Sequence, residues 1–178
     1  MKATGIVRRI DDLGRVVIPK EIRRTMRIRE GDPLEIYTSS DGEVIFKKYS
    51  AIGEMSENAS QVADIMYKLA GCPVVVFDRD HVVATSGVTK REFQERRVSP
   101  ELEELMEARK QFFAEDGARK FYPVEGVEQA SLAATPILTA GDVTGAVAFL
   151  SNGRTQTVSE LQKSLVNAAA QFLGRQVE

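Results

Sequence analysis

Cysteine and histidine each occur once in the 178 residues, as Cys72 and His81, and tryptophan is absent. A single cysteine excludes an internal disulfide and a cysteine-cluster zinc site. A single histidine leaves nothing from which to build a histidine-based metal centre or a triad, so no metal is expected. Long hydrophobic runs are missing too, since no stretch approaches the ~18 apolar residues of a membrane span. The start, Met1-Lys2-Ala3-Thr4-Gly5-Ile6-Val7, turns basic without the apolar core of a signal peptide. A cytoplasmic protein with no membrane contact is the expectation. A phosphate loop of the G-x-x-x-x-G-K-[ST] kind, a nucleophile–base set and metal-spaced ligands are all lacking. The chain is therefore expected not to be an enzyme and to need no cofactor.

What is present is arginine, and it is concentrated. The net charge of −2 conceals the distribution. Residues 1–50 hold 11 Lys/Arg against 8 Asp/Glu, whereas residues 51–178 hold 13 against 18. Between positions 2 and 29 stand nine basic residues, among them Lys2, Arg8, Arg9, Arg15, Arg23 and Arg24, against only Asp11, Asp12 and Glu21. Such asymmetry points to an anion-binding end. A solvated charged face is the competing explanation for a charge run taken alone.

Hydrophobic spacing predicts a β-β-α-β-β order for the first 50 residues. Residues 5–10 read as a short strand, Asp11-Asp12-Leu13-Gly14 as a turn, and Arg15-Val16-Val17-Ile18 as a second, β-branched strand. Pro19 opens a short helix with Ile22 and Met26 at i, i+4, and Gly31-Asp32-Pro33 breaks it. Residues 34–37 and 43–46 are strands joined through Asp41-Gly42, a hairpin signal. A module this small struggles to fill a core alone. Two copies sharing one core solve that, and a symmetric pair places two arginine sets on one face.

Residues 54–70 read as a helix stopped by Gly71. From Cys72 the expected order is a hairpin (73–77 and 81–85), a helix from Ser99-Pro100 and an edge strand at 121–124. A second hairpin (130–138 and 143–150) and a final helix follow. Thr157 and Glu160 fit a capping box for that helix. Val158, Leu161, Leu165, Ala168 and Phe172 then form a 3-4-3-4 seam suited to another helix. The fold class is α+β, an antiparallel sheet with flanking helices. The expected domains are 1–52, a connecting helix at 53–71, and 72–178. Cys72 reads as a buried bystander, His81 as an ordinary residue after a turn, and Asp78 and Asp80 as turn chemistry. Arg91, Arg96 and Arg97, interrupted by Glu92 and Glu95, read as a solvated face.

DNA offers a dense line of phosphates, and arginine brings a planar donor fork for phosphates or guanine edges. Residues 1–50 contain neither Asn nor Gln. Direct reading of bases would thus rest on arginine, with shape and phosphate contacts carrying much of the recognition.

The stretch Thr4–Arg24, with its core Leu13-Gly14-Arg15-Val16-Val17-Ile18-Pro19-Lys20-Glu21-Ile22-Arg23, followed by 28–36, resembles the AbrB/transition-state-regulator family. The resemblance implies a swapped-hairpin dimer with interleaved strands. It implies contact with double-stranded DNA through Arg8, Arg15, Arg23 and Arg24, with Lys2 and Arg9 as helpers. Over its whole length the chain is similar to a sporulation branch of that family with a C-terminal GAF-type domain. That implies activation and repression of late forespore genes. It also implies homotetramers joined by the helices flanking the GAF domain. GAF domains often hold a small molecule, and nothing in 72–156 identifies one. Some relatives of the N-terminal fold are toxin-binding antitoxins, which is the alternative function.

Overall fold

The computed structural model describes residues 3–177. The chain divides between Tyr49 and Ser50 into two compact units.

In the first unit, α1 (Lys20–Thr25) starts after Pro19, whose carbonyl accepts from Arg23 N at 3.0 Å. It ends before the expected Gly31-Asp32-Pro33 breaker. Ile28 N reaches back to Arg23 O and Arg27 N to Arg24 O, with Arg27 at φ 51°, which satisfies the last carbonyls within a Schellman-type turn. Then β1 (Leu34–Thr38) and β2 (Val44–Lys48) pair antiparallel, with Ile36 opposite Phe46.

The strands expected at 5–10 and 15–18 are not strands in the single chain. A strand persists only if its N–H and C=O groups find a ladder, and these segments have none among the described residues. Their apolar residues lie open: Val7 is 86% exposed, Leu13 71% and Val17 71%. Ile10, Ile36, Val44 and Phe46 are exposed as well, and Pro19 is the only buried residue of residues 3–49.

The second unit begins with α2 (Ala51–Glu54), capped by Ser50 Oγ accepting from Gly53 N, and α3 (Ser56–Ala70). The helix expected at 54–70 is α3, which starts two residues later and is preceded by the separate short helix α2. Next come β3 (Val74–Asp78), β4 (Val82–Ser86), α4 (Lys90–Phe93) and α5 (Pro100–Glu107). Ser99 Oγ accepts from Leu102 N at 3.1 Å, a cap that contributes about 1 kcal/mol. The remaining elements are β5 (Phe112–Phe113), β6 (Ser131–Thr139), β7 (Asp142–Leu150) and α6 (Glu160–Gln176). The five strands form one antiparallel sheet in the order β4-β3-β7-β6-β5.

Alternation along the strands builds two cores. Val74, Val76, Val147 and Phe149 pack under α3 and α6 with Ala59, Ala63, Val166 and Leu173. Val75, Phe77, Ala146 and Ala148 face the other way, against Phe93, Leu102, Met106 and Phe121. The expected edge strand at 121–124 is absent. Pro123 cannot donate, its carbonyl accepts from Ser99 N, and β5 occupies the edge of β6 instead.

The capping box falls two residues later than the expected Thr157/Glu160 pair. Ser159 Oγ accepts from Gln162 N, and Gln162 Oε1 accepts from Ser159 N at 2.9 Å. Gln162 wins because its side chain is buried, where its Nε2 also donates to Ala70 O at the end of α3. Of the seam read along this part of the chain, Leu161, Ala168 and Phe172 face outward, whereas Val158 and Leu165 are half-buried against the core. Leu161 is 60% exposed and Phe172 50%, while the buried stripe is Gln162, Val166, Ala169, Ala170 and Leu173.

Candidate nucleic-acid interface

The first unit carries its arginines on three local structures. Arg8 and Arg9 lie on the exposed extended segment ahead of the turn. Arg15 closes the turn. Asp11 Oδ1 accepts from Leu13 N at 3.0 Å and from Arg15 N at 2.8 Å, and Asp11 N donates to Arg15 O. Gly14 takes φ +77°, a conformation that Cβ-bearing residues adopt at a cost. The same carboxylate then holds the Arg15 side chain, Nε to Asp11 Oδ2 at 2.8 Å. The Arg15 amide and guanidinium together keep the Asp11 carboxyl below its ordinary value of 3.8. The turn's stabilisation from this pair is therefore complete above that value and is lost as pH falls through the lowered one.

Arg23 and Arg24 occupy the last turn of α1, both exposed. Arg23 Nε donates to Ile18 O at 3.2 Å, which ties the helix to the end of the preceding extended segment. Arg8, Arg9 and Arg24 have no side-chain partner among the described residues. Among the described residues Arg15 and Arg23 are each held only through Nε, so both terminal nitrogens of each guanidinium stay available to solvent. Lys2 lies outside the described residues.

In the second unit the other singled-out residues have structural roles. Asp78 Oδ1 accepts from Asp80 N and His81 N, and Asp78 Oδ2 accepts from Ser50 Oγ at 2.8 Å, an Asx turn fastened to the α2 cap. Cys72 is buried, and burial pushes its thiol up to about 11, away from the reactive thiolate. The sheet face beneath α4 and α5 is filled by Phe77, Phe93, Leu102, Met106 and Phe121. A cavity of about 560 Å³ lies instead at the end of the sheet, between the loops 114–120 and 151–157. Composition gave no sign of it, because its walls come from segments far apart in the chain. No helix among the described residues is long and apolar enough to cross a membrane.

Residues 54–178 match the family described as stage V sporulation protein T C-terminal, transcription factor. Stage V sporulation protein T of Bacillus subtilis (strain 168) is 49% identical over 180 residues, covering 100% of this chain and 99% of that protein. The chain belongs to the stage V sporulation protein T family.

Residues 7–53 of this family member also match the MazE antidote-toxin recognition family of bacterial antitoxins. Transition state regulatory protein AbrB of Bacillus subtilis (strain 168) is 50% identical over 76 residues, which is 43% of this chain and 77% of that protein. The GAF domain/HD domain protein of Geobacter sulfurreducens aligns with a TM-score of 0.52 at 16% identity. It covers 71% of this chain and 91% of that structure. Identity that low shows the fold alone, and the fold is the GAF type. The α+β class, with an AbrB-like first unit and a GAF-like sheet flanked by helices, holds for this stage V sporulation protein T relative. Reading the sequence took Asp11 for turn chemistry only, whereas its carboxylate also pairs with the Arg15 side chain. The signal for its second role was the i, i+4 spacing to Arg15.

Proposed function

We propose that the chain regulates transcription as a homo-oligomer. Arg8, Arg15, Arg23 and Arg24 of paired first units contact duplex DNA, with Lys2 and Arg9 assisting. The observation that carries this reading is the set of arginines with terminal nitrogens open to solvent, set on a turn and a helix whose neighbouring apolar segments lie exposed. Two copies interleaving residues 3–18 would bury Val7, Ile10, Leu13 and Val17. They would also present eight of these arginines together.

The functional division proposed is 1–52 for DNA, 53–71 as connecting helix, and 72–178 for sensing and assembly, acting on late forespore genes as activator and repressor. The exposed residues Leu161, Ala168 and Phe172 of the seam support helix-to-helix assembly into tetramers. The cavity at the sheet end has a volume in the range of small-molecule sites, which supports sensing. The antitoxin alternative is not favoured. Its family match stops at residue 53, whereas the transcription-factor match spans the remainder.

The test is binding of the full chain to duplexes that it selects from a random pool. Neutralising six to ten phosphates predicts an affinity loss of about 10³–10⁵ between 50 and 200 mM salt. Binding that ignores salt, or no binding at all, overturns the reading. Native mass spectrometry of the same protein should show multiple copies, and it reports any retained ligand as added mass. A single-copy mass at micromolar concentration overturns the shared-core part.

A further inference from the structure

We infer that Asp11 is a positioning residue for DNA recognition, holding Arg15 so that only its two terminal nitrogens are presented to a base edge. The inference rests on the DNA-binding reading above. An acidic side chain at a DNA-contacting turn is otherwise unfavourable, because it repels phosphates. Here its two oxygens are divided between two tasks. Oδ1 accepts from the Leu13 and Arg15 amides and shapes the turn. Oδ2 lies 2.8 Å from Arg15 Nε, in an ion pair across i, i+4. The Arg15 side chain nonetheless stays 69% exposed, and no other hydrogen bond holds its guanidinium among the described residues. Arginine can form its two-pronged contact either sideways, through Nε and one terminal nitrogen, or end-on, through both terminal nitrogens. With Nε occupied, the end-on fork remains, the geometry that matches O6 and N7 of guanine.

The carboxylate also restricts a long, rotamer-rich side chain before DNA arrives, so less entropy is lost on binding. Asp12, next to it, forms no such pair among the described residues. Two opposing effects follow for a variant at position 11. Removing the negative charge favours phosphate contact in any sequence. Releasing Arg15 weakens reading of the base. Non-specific and specific affinities should therefore move in different directions, which neither charge nor turn stability alone produces.

Asp11→Asn separates the roles, because its amide oxygen still accepts from the Leu13 and Arg15 amides while its NH₂ cannot accept from Arg15 Nε. The assay measures affinity of the full chain for a duplex selected by the wild type and for poly(dI-dC). For Asp11→Asn we expect poly(dI-dC) affinity to be equal or up to a few-fold higher. Affinity for the selected duplex should fall about tenfold, the lower part of what a bidentate contact provides. In an Arg15→Ala background the same change should no longer reduce discrimination. Discrimination within twofold of wild type overturns the proposal, as does a parallel rise of both affinities. A large fall in Tm or loss of assembly in Asp11→Asn also overturns it, since the role would then be structural. If the wild type binds neither duplex, the DNA-binding reading fails and takes this proposal with it.

Discussion

Replacing Arg8, Arg15, Arg23 and Arg24 together by alanine is expected to abolish duplex DNA binding while leaving assembly intact. In a pair of first units the change removes eight cations, and with them the counterion release that drives association. Affinity should fall by more than about 1,000-fold at physiological salt, and the residual salt dependence should flatten. Assembly should survive because the side chains are exposed and supply none of the open apolar surface at Val7, Ile10, Leu13 and Val17. Fluorescence anisotropy across salt concentrations, beside native mass on the same sample, makes the comparison. Unchanged binding in a correctly assembled variant would sink the assignment of these arginines.

The corresponding quadruple lysine variant sharpens the result. It keeps every charge but loses the planar fork and the Nε bonds that Arg15 makes to Asp11 and Arg23 makes to Ile18. Non-specific binding should persist while discrimination falls.

Gly145→Ala should unsettle the second unit strongly although it adds only one methyl group. Gly145 sits in β7 between Asp78 of β3 and Ile137 of β6. A Cβ there would lie 2.0 Å from the Phe77 carbonyl oxygen and 3.2 Å from Asp78 Cα. Both belong to backbone in the middle of the sheet, so neither can turn aside as a flexible side chain could. Overpacking of this kind costs about 3 kcal/mol, a fall of roughly 10 °C in Tm for a unit of this size. Gly141→Ala, four residues earlier, is the control. Its added Cβ meets nothing within 4 Å, and only the φ of +89° opposes it, a cost of about 1–2 kcal/mol. Thermal unfolding of both variants checks the order; equal losses would show that the close approach does not govern the sheet.

Local patterns were legible where a segment's environment is set by its own neighbours. Asp11-Asp12-Leu13-Gly14 reads as a turn because its hydrogen bonds run within five residues. The β3–β4 and β6–β7 hairpins read correctly because turn residues punctuate continuous apolar runs. The seam counted along α6 is a different stripe from the one that packs against the sheet, and its Leu161 and Phe172 lie open in the single chain. Misreadings arose where two local signals were equivalent. Thr157/Glu160 and Ser159/Gln162 both satisfy the capping spacing, and only the burial of Gln162 against the end of α3 separates them.

The sequence by itself determined the basic end, the turn that carries Arg15 and the α+β order. Each of these depends on residue type or on spacing within about ten positions. Tertiary structure alone decided that the segments at 5–10 and 15–18 have no ladder within one chain, and that Phe112–Phe113 rather than 121–124 forms the sheet edge. It also placed a cavity between loops some thirty residues apart, and put Gly145 against the Phe77 carbonyl. The physical reason is common to all four. A ladder, an edge, a cavity wall and a steric contact each need a second surface, and its identity is set by how distant segments pack rather than by either segment alone.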